Sequence, residues 1–351
     1  MPVTLINNNK AVKLELPKSQ ASAEVLFFGA TVTSWKVAGG SERLFLSSKA
    51  ALDGSAAVRG GIPLVFPVFG SPKDHDDVPE LITKLNKHGF ARDHDWALST
   101  HVASVDQEDK ASVTLELRTN DKPDIKAVWP FETVLQYTVT LLPHQLKCEL
   151  KVNYVDGEGD MPFHALLHNY FLVPDSTKAS VQGLNGMFYI DKVLGGEEVQ
   201  LNTDNFTLDA QPIDRVHVGK HKTIPAGEKP RDVKLVYNAS LLQDPLGRMG
   251  KGVEVTRSKQ LKDTVVWNCA DEGNKLIKDL EDGDWKKYVC VEPGSVHGFE
   301  TLPKGSKWIA EQTLTACDGG SNAFCTVLEP RRCFMVEDVG VTTVPRTDPN
   351  D

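Results

Sequence analysis

The sequence has no long hydrophobic segment, no excess of basic residues and few helical patterns. No apolar run approaches the about 20 residues that a membrane-spanning helix needs, and residues 1–10 lack the basic and apolar regions of a signal peptide. With 48 acidic and 39 basic side chains, the formal net charge is −9, which argues against a nucleic acid or an anionic membrane as partner. These absences predict a cytoplasmic protein, in which an anionic ligand would need a local cationic site.

The cysteines lack the spacing of a disulfide framework or a metal site. Cys148, Cys269 and Cys290 lie in apolar neighbourhoods. The other three crowd into the last part of the chain without a CxxC spacing: Cys317, Cys325 and Cys333. We interpret all six cysteines as free thiols.

What the sequence does contain is a period of two. Residues 135–141 and 146–154 alternate apolar and polar side chains on either side of a Pro-His turn, which is typical of a β-hairpin with one buried face. Helical patterns are short and occur at Ser47–Leu52 and Glu80–Leu85. We therefore predict one all-β domain over residues 1–316, a large antiparallel sandwich or barrel with few short helices, followed by a mobile tail at 317–351.

Glu292 ends an apolar run that begins at Tyr288, and Pro293-Gly294 follow it directly. Because Pro-Gly is a strong turn signal, we expect Glu292 at the end of a buried strand. Burial would raise the pKa of this carboxylate toward the range of a general base. An exposed glutamate that opens a turn is the alternative.

His164 and His168 fall on one face of a predicted strand, together with Leu166 and Tyr170. Two histidines at this spacing would suit a metal on a helix, but the flanking aromatics favour a strand and no HExxH motif is present, so we predict no metal. A hydrogen-bonded core histidine is the alternative to a functional one. A partner carboxylate such as Glu292 would favour function.

Two clusters carry basic side chains next to glycines. Arg59 precedes Gly60-Gly61 and a long apolar stretch, and Lys87, His88 and Arg92 surround Gly89. Glycines let the backbone approach a ligand closely, and a guanidinium binds phosphate with two parallel hydrogen bonds. The alternatives are a surface arginine and a solvated turn.

Taken together in chain order, six motifs resemble the glucose-6-phosphate 1-epimerases, the hexose-6-phosphate mutarotase branch of the aldose 1-epimerase superfamily. The resemblance covers roughly residues 5–316 and rests on these segments: 29–35, 59–70, 88–92, 168–171, 263–268 and 292–297. It implies a galactose-mutarotase-like β-sandwich that interconverts the α and β anomers of a sugar. It also implies that Glu292 acts as base and His168 as acid, without a cofactor.

The same resemblance implies a phosphate site. Arg59 and Arg92 match the family's phosphate-binding arginines, and His88 would line the same wall. Lys87 stands where the family commonly has Gln, so it either adds a phosphate contact or points outward. Asp232 is carried over as the sugar-binding aspartate, although Asp232 and Tyr237 are further apart than in the family's Asp-Val-Ile-Tyr pattern.

The resulting hypothesis is a monomeric mutarotase whose substrate is a small hexose 6-phosphate, in particular glucose 6-phosphate. Two alternatives remain open at this point: an aldose 1-epimerase for unphosphorylated sugars, and a sugar-phosphate-binding protein without catalysis. A glycoside hydrolase fits less well, because that chemistry asks for a pair of carboxylates and the sequence offers one strong candidate.

Overall fold

The computed structural model describes residues 3–75, 78–99, 109–218, 232–237 and 251–317. In chain order, the strands in these residues are β1 (Val3–Ile6), β2 (Ala11–Leu16), β3 (Ala21–Leu26), β4 (Val32–Lys36), β5 (Leu64–Val65), β6 (Ala97–Leu98), β7 (Ala111–Arg118), β8 (Glu132–Leu141), β9 (Gln145–Asp156), β10 (Met161–Leu167), β11 (Tyr170–Leu172), β12 (Ala179–Gln182), β13 (Phe188–Asp191), β14 (Glu198–Gln200), β15 (Asn205–Thr207), β16 (Ile213–Val218), β17 (Val233–Tyr237), β18 (Gly252–Arg257), β19 (Asp263–Asn268), β20 (Tyr288–Leu302) and β21 (Lys307–Cys317).

Helices are short. The α-helices of the described residues are α1 (Pro123–Lys126) and α2 (Ala270–Leu276). The 3₁₀ helices are Pro72–Asp74, Glu80–Ile82, Ala91–Asp93, Thr119–Asp121, Ser176–Lys178 and Asp284–Lys287. None of these helices has the length and apolar character needed to cross a bilayer. The all-β prediction is confirmed.

The strands form three antiparallel sheets. The first has the order β1-β2-β3-β4. The second has the order β14-β13-β16-β19-β20-β10-β5, and β11 also pairs with β20. The third has the order β15-β12-β17-β18-β21-β9-β8-β7-β6. The predicted hairpin is β8 and β9, which pair from Leu141 and Leu146 at the turn back to Glu132 and Asp156.

One hydrophobic core joins the three sheets, and the second sheet covers it with one of its two faces. Ala165 and Leu167 of β10 and Val291 of β20 point into this core. Because successive side chains of a strand alternate between faces, Leu166 and the side chains in register with it point the other way, where a separate apolar cluster forms. That outer face of the second sheet carries the candidate site.

The predicted strand end at Glu292 is wrong. β20 continues for 15 residues through Pro293 and Gly294. Strand β19 pairs along this part of β20, from Trp267 opposite Cys290 to Asp263 opposite Gly294. Pairing with neighbouring strands therefore overrides the local turn signal of Pro-Gly, as tertiary context often does in sheets. Glu292 lies inside a central strand.

The two predicted helices also differ from the structure. Ser47–Leu52 forms a turn, in which the Ser47 side chain accepts a hydrogen bond from the Lys49 amide at 3.2 Å. Such local side-chain bonds offer the backbone an alternative to a helix. At Glu80–Leu85 the helical part is a single 3₁₀ turn, Glu80–Ile82.

The free-thiol prediction holds for part of the cysteines. Cys148, Cys269 and Cys290 are free and buried, whereas Cys317 is disulfide-bonded, so the prediction is wrong there. Cys325 and Cys333 lie outside the described residues.

Contacts within the chain divide it between residues 320 and 321, and all described residues belong to the first unit. The proposed tail lies outside the described residues, except for Cys317.

Candidate active site

Glu292 is a buried carboxyl group on the outer face of the second sheet. β20 holds it between two neighbours, because Val265 of β19 lies opposite it on one side and β10 and β11 lie on the other. The side chain is 1% exposed, and neither carboxylate oxygen has a hydrogen-bond partner among the described residues. Burial and, secondarily, the nearby Asp214 raise the pKa of Glu292 well above its usual value. Once ionised, such a group is a strong base.

His168 faces Glu292 from the connection between β10 and β11. The pairing of these strands with β20 stops at Leu166 opposite Gly294 and resumes at Tyr170 opposite Cys290, so His168 lies in the gap. Its Nδ1 is 3.3 Å from Oε1 of Glu292. The imidazole ring stacks on the Tyr170 ring with a centroid distance of 4.6 Å and an angle of 7°. Its position is thus fixed by two neighbours.

The charge state of His168 depends on cations in the same site. Burial lowers the pKa of His168 well below its usual value, and Arg59 and Arg92 lower it further. Together with the raised pKa of Glu292, these effects favour an uncharged pair while the cavity is empty. In that pair the shared proton resides on Glu292 and His168 is neutral.

Arg59 lies in the connection between β4 and β5. Its Nε donates to Oδ1 of Asp279 at 3.0 Å, and its Nη1 donates to the Tyr170 hydroxyl at 3.0 Å. Gly61, two residues later, has a φ of +66°, and a Cβ there would lie 2.1 Å from the carbonyl oxygen of Val32. Glycine is required at this close approach. The group approached is the chain's own backbone, whereas the sequence predicted an approach to a ligand.

Lys87, His88 and Arg92 form the second cationic group, around Gly89. The amide of Gly70 donates to Nδ1 of His88 at 3.2 Å, so the neutral ring carries its proton on Nε2. Burial, followed by the charge of Arg92, lowers the pKa of His88 and keeps it neutral. Arg92 donates from Nη2 to the backbone carbonyl oxygen of Lys87 at 2.9 Å, which holds the guanidinium against this loop.

These residues line one cavity of about 690 Å³. Of the residues predicted from the sequence, the cavity brings together Arg59, Lys87, His88, Arg92, His168 and Glu292. The structure adds residues that the sequence analysis did not select for the site: Phe69, Gly70, Asp74, Tyr170, Lys192, Gly195, Gly196, Asp214, Val265, Trp267 and Ile277. The two cationic clusters and the Glu292–His168 pair thus share one space.

Asp232 does not line this cavity. It is exposed and directly precedes β17, which belongs to the third sheet. Asp214 of β16 lies in the cavity instead. The sequence did carry a signal for it, because Asp214-Arg-Val-His217 places an aromatic ring three residues after the aspartate, as in the Asp-Val-Ile-Tyr pattern. The histidine in place of tyrosine concealed the match.

Lys192 enters the cavity from the turn between β13 and β14. The buried Asp191 fixes this turn, since its Oδ1 accepts from the amide of Val193 at 3.0 Å and its Oδ2 accepts from Nε of Arg215 at 2.8 Å. The Lys192 amino group lies 4.4 Å from the centre of the Phe69 ring. Its charge acts on both Asp214 and Glu292. No pattern in the polar sequence around Lys192 indicated that its side chain would reach the cavity.

Three side chains in the site have donor atoms close enough to surround a metal ion. The ligand atoms of His168, Cys290 and Glu292 all lie within 4.8 Å of one another. The sequence-based expectation that the protein uses no metal and no cofactor stays a prediction.

Comparison with known proteins places this chain in a family. The sequence pattern of the family described as aldose 1-epimerase matches residues 12–315, which includes every element named above that contributes to the cavity. The chain belongs to the aldose 1-epimerase family. This epimerase is therefore an isomerase that interconverts the α and β anomers of a sugar.

Relatives of this epimerase match it over most of their length. A protein of Cenchrus ciliaris provisionally named glucose-6-phosphate 1-epimerase is 31% identical over 299 residues, which are 84% of this chain and 81% of that protein. An Escherichia coli protein with the same provisional name is 30% identical over 276 residues, 78% of this chain and 79% of the other.

Solved structures give the epimerase the same fold. The crystal structure of a provisionally assigned mutarotase from Salmonella typhimurium has a TM-score of 0.70 at 25% identity and covers 88% of this chain and 90% of its own. A galactose mutarotase-like protein from Clostridium acetobutylicum has a TM-score of 0.65 at 18% identity, over 89% of this chain and 96% of its own. The predicted galactose-mutarotase-like sandwich is thereby confirmed.

Proposed function

We propose that this epimerase acts on hexose 6-phosphates, with glucose 6-phosphate as the preferred substrate. The observation that carries the proposal is the presence of Arg59 and Arg92 in the same cavity as the Glu292–His168 pair. A phosphate ester brings about −1.5 to −2 charge at pH 7. Burying that charge requires cations with directed hydrogen bonds, which guanidinium groups supply.

Glu292 and His168 carry the proton transfers in this proposal. Glu292, as carboxylate, takes the proton from the anomeric hydroxyl while the bond between C1 and the ring oxygen breaks, and protonated His168 gives its proton to that ring oxygen. The open-chain aldehyde then rotates about C1–C2. On closure the ring oxygen attacks C1, His168 takes its proton back, and Glu292 returns the other proton to the new anomeric hydroxyl. No atoms are gained or lost.

The phosphate lies between the two arginines. Arg59 uses Nε and Nη1 for Asp279 and Tyr170, and Arg92 uses Nη2 for Lys87, so other donors of both forks remain for phosphate oxygens. Lys87 and Lys192 add positive charge to the same cavity. Asp214 and Lys192 form an acceptor and donor that suit sugar hydroxyls. We further propose that the enzyme acts as a cytoplasmic monomer on this small substrate, without a nucleic-acid or membrane partner.

Exchange spectroscopy between the anomeric protons of glucose 6-phosphate and of glucose tests the substrate. We expect strong acceleration for the phosphate ester and weak acceleration for glucose. Arg59→Ala or Arg92→Ala should each lower kcat/KM for glucose 6-phosphate by roughly ten- to a hundredfold, since a charged hydrogen bond contributes about 1.5–3 kcal/mol. Arg118→Ala, in which an exposed arginine of β7 is removed, serves as control and should leave the rate unchanged.

Equal turnover of glucose and its 6-phosphate would instead indicate an epimerase for unphosphorylated sugars. Binding without accelerated exchange would indicate a sugar-phosphate-binding protein.

Glu292→Gln tests the base. This substitution keeps the shape of the side chain but removes its proton acceptor, so we expect exchange to slow by about 10²–10⁴-fold, the usual contribution of a general acid or base. Binding of glucose 6-phosphate, measured by calorimetry, should persist. A variant that exchanges anomers at the wild-type rate would remove Glu292 from the mechanism.

A further inference from the structure

Tyr170 connects the proposed phosphate site to the proposed acid. Its hydroxyl accepts a hydrogen bond from Nη1 of Arg59 at 3.0 Å, and its ring lies parallel to the His168 ring at 4.6 Å. One side chain thus touches both a residue that would bind phosphate and the residue that would protonate the ring oxygen. Neither contact was predicted from the sequence.

The surroundings of Tyr170 leave its ring little freedom to move. The side chain is 2% exposed, and its ring contacts those of Trp267 and Tyr288 at centroid distances of 6.0 and 5.2 Å. Burial raises the pKa of Tyr170, so the hydroxyl stays neutral and does not cancel the charge of Arg59. A shift of the Arg59 guanidinium therefore reaches His168 through a packed and uncharged ring.

The charges around His168 determine how a bound phosphate would affect its protonation. Facing groups include Glu292, Arg59, Arg92, Lys87 and His88. Burial, and after it the two arginines, disfavour a proton on His168 in the empty cavity. Each arginine meets a carboxylate at Nε, the nitrogen next to the side-chain stem: Asp279 lies 3.0 Å from Nε of Arg59, and Asp93 lies 3.8 Å from Nε of Arg92. A phosphate dianion between the arginines would offset their positive potential, and so favour the protonated imidazole that the reaction needs.

We propose that an anion held by Arg59 and Arg92 activates the ring-opening centre, and that Tyr170 is the positioning residue that couples the two. The inference rests on the proposed function and deepens it. The 6-phosphate then contributes to kcat as well as to KM, because the energy of a remote contact is used at the reacting atoms. Selection for phosphorylated sugars is built into the catalytic step.

The test supplies the substrate in two pieces. Exchange of saturating glucose is measured with and without phosphite dianion, a probe that can occupy a phosphate site without a sugar attached. We expect phosphite to accelerate glucose exchange in the wild-type enzyme by about tenfold or more, since each factor of ten in rate requires only about 1.4 kcal/mol of the anion's binding energy at the reacting atoms. The acceleration should saturate with phosphite concentration.

Two tyrosine variants separate coupling from general packing. Tyr170→Phe keeps the ring but removes the hydroxyl that holds Arg59. We expect it to lose the part of the acceleration by phosphite that depends on this positioning, whereas the direct effect of the charges on His168 persists. Tyr288→Phe is the matched control, since Tyr288 is a buried neighbour in the same aromatic cluster whose hydroxyl contacts Cys269 at 3.1 Å. It should keep the full acceleration. The readout is the ratio of rates with and without phosphite, which a general loss of packing does not change.

The outcomes distinguish the inference from the function on which it rests. If glucose 6-phosphate is preferred but phosphite leaves glucose exchange unchanged or inhibits it, anion activation is overturned. If Tyr170→Phe responds to phosphite as the wild-type enzyme does, the role of Tyr170 is overturned. If the anomers of glucose are exchanged as fast as those of its 6-phosphate, the proposed function fails. This comparison is made without phosphite, so its result is independent of the anion test.

Discussion

Gly89 illustrates how a residue without a side chain positions residues that carry charge. Its φ is +71°, and a Cβ at this position would lie 2.2 Å from the carbonyl oxygen of Phe66. The preceding His88 is also left-handed, with a φ of 67°. This close approach brings Lys87, His88 and Arg92 to the cavity wall.

Gly89→Ala should therefore destabilise the protein and weaken phosphate binding. Gly305→Ala is the matched control, because its φ is +77° but no atom lies within 4 Å of the position of a new Cβ. The control has the cost of the left-handed backbone alone, about 1 kcal/mol, whereas Gly89→Ala adds strain on the order of 1–3 kcal/mol. Urea unfolding measures both, and equal losses of stability would argue against the close approach as the cause.

At the scale of elements, the bend between β10 and β11 is fixed by a pair of amides. The Asn169 side chain donates to Oε1 of Gln312 at 2.9 Å, and Gln312 donates back to Oδ1 of Asn169 at 2.8 Å. Both residues are fully buried. Because Gln312 belongs to β21, this pair joins the second sheet to the third directly beside His168.

Gln312→Met should lower both the stability of the protein and the rate of anomer exchange. The substitution leaves the buried amide of Asn169 without one partner, which costs about 1–3 kcal/mol of unfolding free energy. We also expect slower anomer exchange, since His168 is the adjacent residue. Gln145→Met is the control, because Gln145 forms its hydrogen bond to Thr315 at a half-exposed position. A loss of stability no larger than in this control would contradict the prediction.

The elements also show what a sequence can and cannot predict. The β8–β9 hairpin was predictable because its period of two directly reflects one buried face. The course of β20 was not, because Pro293-Gly294 gives a strong local signal and the pairing with β19 that overrides it depends on a segment about 30 residues earlier. His168 and Glu292 were found by their residue types and motifs. Asp214 and Lys192 reach the cavity only through the arrangement of β13, β14 and β16.

For the whole molecule, the buried histidines make stability depend on pH. His217 lies in the second sheet, fully buried, and stacks on Phe206 with a centroid distance of 5.8 Å. Burial lowers its pKa to about 4. The unfolded chain binds a proton near pH 6.5 and the folded one near pH 4, so the stabilisation is complete above the higher value and declines as the pH falls toward the lower one.

His217→Phe should reduce this pH dependence. The difference in pKa corresponds to about 3 kcal/mol of unfolding free energy, lost by the wild-type protein between about pH 6.5 and about pH 4. A phenylalanine keeps an aromatic ring but binds no proton, so the variant should lose less stability over this range. Urea unfolding at several pH values measures the difference. Parallel pH profiles of the two proteins would show that His217 is not the group responsible.

The proposed base and the cations of the site come from different kinds of structure. Glu292 is part of a strand with neighbours on both sides, whereas Arg59, Arg92 and Lys192 come from connections between strands. Connections tolerate insertion and replacement better than central strands do. Exchange of these connections is therefore expected to change which sugar is accepted, while the strand that carries the proposed base, and with it the reaction, stays the same.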